Sequence, residues 1–238
     1  MKSPILKYTI IIGMSTLVAV TLWFNLLVVT EHRTVPKYES ISVDGPIQVF
    51  LIKGLGDQIR IVADKGLSPL IKIEVQGTDL VIDAISPIVH ERILKVYASL
   101  EWVKKIHLSG ASTLDVVDKI DADTVSLTLD GSSEGRIMVD CKLLNIKMHD
   151  VANIFLAGSV DLLKVNLTGV SDIIADNLFS DNCKLTIISP KQSPGVFRIN
   201  VSDTLWLTMR GSSGRIVRYK GDPVVIKDIE GNGDAVRK

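Results

Sequence analysis

Ile106-His107-Leu108-Ser109-Gly110 returns as Leu127-Thr128-Leu129-Asp130-Gly131, as Ile146-Lys147-Met148-His149-Asp150 and as Val165-Asn166-Leu167-Thr168-Gly169. Looser copies stand at Leu185-Thr186-Ile187-Ile188-Ser189, at Leu207-Thr208-Met209-Arg210-Gly211 and from Ile226 to Gly231. An apolar-x-apolar-x-turn unit recurring roughly every 20 residues marks stacked modules, none of which can bury its apolar side alone. The period-two alternation and the β-branched content make each module a strand and a turn. The predicted fold is all-β, a parallel β-solenoid (β-helix) of about 20-residue rungs.

Each rung carries two further apolar clusters. One contains Leu114-Asp115-Val116, Ile137-Met138-Val139, Ile154-Phe155-Leu156 and Ile173-Ile174-Ala175; the other contains Val125, Leu143-Leu144, Leu162-Leu163 and Leu178-Phe179. Three short strands per rung, with a roughly triangular section, would stack these side chains into one apolar column. Thr128, Lys147 and Asn166 then face solvent. Glycines 110, 131, 169, 211 and 231 fall where a sharp corner demands positive φ, which glycine adopts without steric cost. Asp150 and Ser189 replace glycine in two copies, so altered corners are expected there.

Upstream of the repeats, Ile41-Ser42-Val43, Ile47 to Ile52, Ile59 to Ala63, Ile71 to Val75 and Leu80 to Ala84 read as strands. Asp44-Gly45-Pro46, Gly54 to Asp57 and Gln76 to Asp79 punctuate them. Leu67 to Ile71 fits one helical turn, and Pro87 to Arg92 reads as a break. The expected organisation is an N-terminal signal anchor over 1–33, a β-rich lead-in over 34–93 and solenoid repeats over 94–238. Residues 31–38 are a polar linker leaving the membrane.

Tyr8 to Thr30 contains no charged residue, and some 20 apolar residues match a hydrocarbon core of about 30 Å. Lys2 and Lys7 before the run favour a cytoplasmic N-terminus, and Trp23 suits an interfacial anchor. A single-pass membrane protein with an exported solenoid is therefore expected, with lipid bilayer contacted through residues 8–30. The alternative is secretion after signal cleavage, against which stand the length of the run and the lack of a small-x-small site.

With 23% charged residues and a formal net charge of +0, the chain lacks the clustered cations that nucleic acid demands, and aromatics are only 5%. Cys141 and Cys183 lie about two rungs apart in different phases, beyond the roughly 7 Å that a disulfide spans, so both are expected as free thiols. Asp115, Asp130, Asp150, Asp172 and Asp234 recur near turns, where stacked carboxylates could act as acid and base on a polysaccharide. Their offsets from the repeat glycine differ, and turn preference accounts for them. His107 and His149 sit two rungs apart without partners at ligand spacing, and neither calcium-binding nonapeptides nor EF-hand loops occur. Asn166-Leu167-Thr168 and Asn200-Val201-Ser202 match the glycosylation acceptor pattern, and the serines of Gly131-Ser132-Ser133 and Gly211-Ser212-Ser213 belong to turns. No catalytic, cofactor-binding or metal-ligating residue is assigned, and no cofactor is expected.

Gly211-Ser212-Ser213-Gly214-Arg215-Ile216, then Tyr219-Lys220-Gly221-Asp222-Pro223 and Gly231-Asn232-Gly233-Asp234-Ala235-Val236, resemble the family described as "putative auto-transporter adhesin, head GIN domain", over about residues 38–238. The resemblance implies bacterial origin, an exported β-helical fold and no known enzymatic activity. In a bacterial chain the two glycosylation matches are coincidence. Asp150 and Ser189-Pro190-Lys191 depart from the family's glycine turns, and the apolar N-terminus stands where relatives carry a signal peptide or a lipoprotein cysteine. The expected function is a non-enzymatic, membrane-tethered binding or adhesin-like module for a polysaccharide or an envelope protein. A self-assembling solenoid of bactofilin type is the alternative, since open strand edges associate unless capped. A polysaccharide-cleaving β-helix enzyme using Asp130 or Asp172 ranks third.

Overall fold

A computed structural model describes residues 28–84, 93–188, 195–212 and 215–238. Its strands are β1 (Val28–Thr34), β2 (Ser40–Asp44), β3 (Gln48–Ile52), β4 (Gln58–Asp64), β5 (Ile71–Gln76), β6 (Asp79–Ala84), β7 (Leu94–Ser99), β8 (Lys105–Leu108) and β9 (Thr113–Val116). They continue as β10 (Ile120–Leu129), β11 (Glu134–Asp150), β12 (Asn153–Gly169), β13 (Asp172–Ile188), β14 (Phe197–Ser212), β15 (Ile216–Lys220), β16 (Val224–Gly231) and β17 (Asp234–Arg237). A 3-10 turn at Ser68–Leu70 sits where the sequence predicts a helical turn. Parallel neighbours cannot be joined by a hairpin; here the remainder of each rung is the crossover.

The repeat is a physical column. Ile106, Leu127, Ile146, Val165, Leu185 and Leu207 pair in succession through parallel strands, and each is at most 2% exposed. Burying such a side chain is worth about 1.5–3 kcal/mol, so the ladder is the main source of cohesion. The clusters predicted as separate short strands run together in β11, β12 and β13, each 17 residues long.

Two column assignments differ from the sequence reading. Gly135, rather than Ile137, aligns with Leu114 and Ile154. Cys183, rather than Leu178, follows Val125, Leu144 and Leu163. Apolar spacing alone cannot register a strand across a turn or bulge, because each added residue shifts the phase. The last copy slips for the same reason: Lys227 pairs with Leu207, while Ile226 pairs with Trp206 and is 49% exposed.

At the N-terminal end, chain order and spatial order part. β2 lies between β6 and β8, and β3 between β7 and β9, all parallel. The rung from β6 to β7 therefore stacks outside a rung that precedes it in sequence. β5 turns back on β6 through Gly77, whose φ of 64° suits a two-residue reversal. β4 runs antiparallel on β7, and β1 antiparallel on β4. Tyr38, 3% exposed, ties this end together by donating its hydroxyl to the Ser99 carbonyl at 2.8 Å. Desolvation holds its ionisation far above the ordinary tyrosine range.

No helix among the described residues is long and apolar enough to cross a membrane. The anchor expected at residues 8–30 lies outside the described residues except at its end. There Val28, Val29 and Thr30 open β1, pairing with Asp64, Ala63 and Val62. The expected linker of residues 31–38 is corrected with it: Glu31 to Thr34 are strand, since their backbone groups complete a ladder on β4. The break at Pro87 to Arg92 and the corner at Ser189 to Lys191 lie outside the described residues.

Candidate ligand-binding face

Two of the grooves among the described residues are wide enough to seat a ligand. The first lies on the outward side of β11, β12, β13 and β14, has a volume of about 400 Å³ and is lined by Arg136, Met138, Phe155, Asp176, Asn177 and Arg198. Its origin is a bulge. Phe155 pairs with Ile174 but Ala157 pairs with Asn177, so Ala175 and Asp176 together oppose Leu156. An extra residue bends the strand and re-aims the local side chains. The ladder to β14 is interrupted at the same place, between Ile174 and Phe179.

Strand alternation lines up the outward residues of this face. Tyr97, Phe50, Asp115, Arg136, Phe155, Ile174, Arg198 and Arg218 succeed one another across β7, β3, β9, β11, β12, β13, β14 and β15. Aromatic rings and cations lie against each other along the column. Phe50 and Tyr97 stack with centroids 4.9 Å apart, and the Arg60 guanidinium lies 4.1 Å above the Tyr97 ring. Arg136 lies 5.5 Å above Phe155 and pairs with Asp115 at 3.1 Å, a hydrogen bond that raises the guanidinium pKa further. Phe155 and Met138 remain 37% and 44% exposed, so the groove offers apolar surface between charged walls.

At the C-terminal side of the bulge, Asp176 is a hub. Arg198 Nε lies 3.0 Å from its carboxylate, Lys220 Nζ 3.4 Å and Lys238 Nζ 3.6 Å. The carboxylate side chain is 16% exposed while the three cations remain 33–49% exposed. One acid cannot neutralise three bases, so positive charge is left facing solvent.

The second groove, about 510 Å³, lies across β2, β8 and β10 and includes Ser42, Asp79, His107, Thr128 and Asp130. Its polar groups are largely engaged with each other: Ser42 donates to Asp79 at 2.8 Å, and His107 Nε2 lies 2.8 Å from Asp130. The first groove has the stronger claim on a ligand.

The five acids weighed for catalysis are each held by a different partner. Asp115 pairs with Arg136, Asp130 with His107 and Asp234 with Lys227. Asp150 accepts the Gly131 N–H at 3.4 Å, and Asp172 the Val196 N–H at 2.7 Å. His149 bonds Thr168 on the neighbouring strand, whereas His107 bonds Asp130. Among the described residues no three His, Cys, Asp or Glu side chains gather into a metal-holding group. Cys141 and Cys183 are free and buried, and desolvation pushes their thiols up to about 11 and about 12. Asn166 is exposed and Asn200 half-buried, both outward on their strands.

The sequence reading did not single out Arg136, Asp176 or Arg198, and took Phe155 only as part of an apolar cluster. A signal was available in the spacing. Ile154 to Ile173 keeps the repeat of Gly135 to Ile154, whereas Ala157 to Asn177 is one residue longer. That insertion is the bulge.

The family model described as "Putative auto-transporter adhesin, head GIN domain" matches residues 37–223. A crystal structure from Bacteroides fragilis described as a putative adhesin is similar with a TM-score of 0.77 at 16% identity, covering 89% of this chain and 97% of that one. A putative adhesin from Parabacteroides merdae gives 0.62 at 21% identity, covering 88% and 96%. A "putative lipid binding protein" from Parabacteroides distasonis gives 0.65 at 17% identity, covering 88% and 97%. At such identities the likeness establishes the fold alone. No curated protein matches the chain.

Proposed function

The chain belongs to the putative auto-transporter adhesin, head GIN domain family, and from that premise we propose that it is an exported, non-enzymatic binding module of the bacterial cell envelope. Its ligand seats in the groove at the β13 bulge. The observation that carries this reading is the exposure of Phe155 and Met138 between Arg136 and Arg198 at the bulge. Apolar surface with convergent polar groups is the usual form of a binding cleft. A bulge beside it is a common device for opening one.

The apolar run from Tyr8 to Thr30 supports tethering to the inner membrane with the solenoid in the periplasm. Since Val28 to Thr30 are committed to β1, the tether would end by about Leu27 and hold the solenoid close to the bilayer.

The test is retention of the full chain, in detergent, on isolated envelope fractions. Phe155→Ala with Arg136→Ala should lose most of the bound protein, while Thr128→Ala with Lys147→Ala on the other face should not. Equal retention of both variants would remove the groove from the binding reaction.

A further inference from the structure

Resting on the groove reading above, we infer that the ligand is an acidic polysaccharide, a chain of carboxylated sugars lying along the solenoid axis. The groove is not an isolated pit. It is one station of a column running perpendicular to the strands, with Arg60, Tyr97 and Phe50 at one end and Arg136, Phe155, Arg198 and Arg218 further on. Successive strands lie about 4.8 Å apart, so the half-buried Phe50–Tyr97 stack and the exposed Phe155, the latter three strands from Phe50, form stations about 14 Å apart. A compact ligand meets one station; an extended polymer meets both.

Arg136 is matched by Asp115 and Glu134, so the sign is selected by the charge beyond the bulge. Beyond the bulge stand Arg198, Arg218, Lys220 and Lys238, and the acid that the ion pairs place among them is Asp176. The whole chain is neutral, so this surplus is a local feature and not a reflection of composition. Guanidinium groups present paired donors that match a carboxylate. Phe155 and Met138 beside them offer an apolar bed for the C–H face of a sugar ring, which a bare polyanion lacks. Cation and apolar bed together call for a polymer carrying both a ring and a carboxylate.

The experiment measures binding of the full chain in detergent to polygalacturonate, alginate and hyaluronate, with dextran as the neutral glycan and polyphosphate as the ringless polyanion. At least one acidic glycan should bind, more weakly as salt rises, while dextran and polyphosphate bind at least about tenfold more weakly. Arg198→Gln with Lys220→Gln should weaken that binding by about tenfold or more. Lys238→Glu, at a position whose side chain is exposed, should weaken it in the same direction. Phe155→Ala should weaken it without changing the salt dependence. Failure of all three acidic glycans to bind, or equal binding of polyphosphate, overturns the inference. If dextran binds as well and only Phe155→Ala matters, the acidic ligand is wrong and the groove stands. If glycan binding survives every one of these variants, the groove fails too.

Discussion

Asp150 and Gly169 occupy the same corner of successive rungs, paired in register with φ angles of 62° and 115°. Asp150 is the one non-glycine residue with positive φ among the described residues. A Cβ built on Gly169 would stand 2.5 Å from the Asp150 carbonyl oxygen. At Gly169 the backbone is thus crowded, and glycine is required there by proximity as well as by dihedral. Asp150 fits because aspartate tolerates the left-handed region and its side chain turns outward to the Gly131 N–H.

Substitutions at the corners should therefore rank by backbone geometry. Gly169→Ala should cost about 2–3 kcal/mol, and Asp150→Val about 1–2 kcal/mol, while Asp150→Gly stays within about 1 kcal/mol of the parent. Gly158→Ala should be worse than any of them, because its Cβ would lie 1.9 Å from the Val139 carbonyl oxygen. Gly54, with open space around it, should lose only the dihedral term of about 1 kcal/mol on conversion to Ala. Urea midpoints of the five variants check the order; a mild Gly158→Ala would contradict it.

The C-terminal end of the core is closed by charge. Lys227 takes the rung position above Leu207, and its ammonium donates to Asp234 at 2.6 Å and to the Ala235 carbonyl at 3.1 Å. The same strand, β16, exposes Val224 and Ile226, at 65% and 49%. A charged residue on an edge strand resists edge-to-edge pairing. Lys227→Leu should increase concentration-dependent self-association in sedimentation velocity relative to the parent chain. Identical sedimentation of the two would show that the lysine guards nothing.

Acid should erode stability through the surface ion pairs. Hydrogen bonds from Lys227, Arg210 and Lys142 hold Asp234, Asp228 and Asp123 below the ordinary carboxylate range. A carboxylate whose pKa is lower folded than unfolded stabilises the fold above its unfolded pKa, and that contribution vanishes as pH falls through the folded value. The urea midpoint should be flat from pH 7 to about 5 and decline below about 4. Asp234→Asn should shallow the decline, and an unchanged slope would remove this pair from the account.

The thiols report opening of the core. Cys183 is fully buried and Cys141 nearly so, and desolvation raises both above the ordinary thiol range. A raised thiol pKa stabilises the fold below the unfolded value near 8.5 and is lost as pH rises through the folded value. At pH 8 the thiols should resist a disulfide reagent in native protein and react together on unfolding. Rapid labelling of Cys183 in the native state would mean that the rung opens locally.

The rungs were legible in the sequence because their determinants are local. Alternation at Leu127-Thr128-Leu129 names strand and inward side together, and a glycine at each corner states a dihedral. Even the Asp150 exception could be read, since its steric tolerance belongs to the residue itself. The stacking of β6 and β7 outside β2 and β3, the closure by Lys227 and the groove were not legible. Each depends on registration between segments distant in sequence, which one inserted residue at Ala175 and Asp176 is enough to shift. Arg136, Phe155 and Arg198 look in the chain like ordinary outward residues of three separate rungs. Only the parallel ladder, which sets equivalent positions about 4.8 Å apart, makes them a single surface.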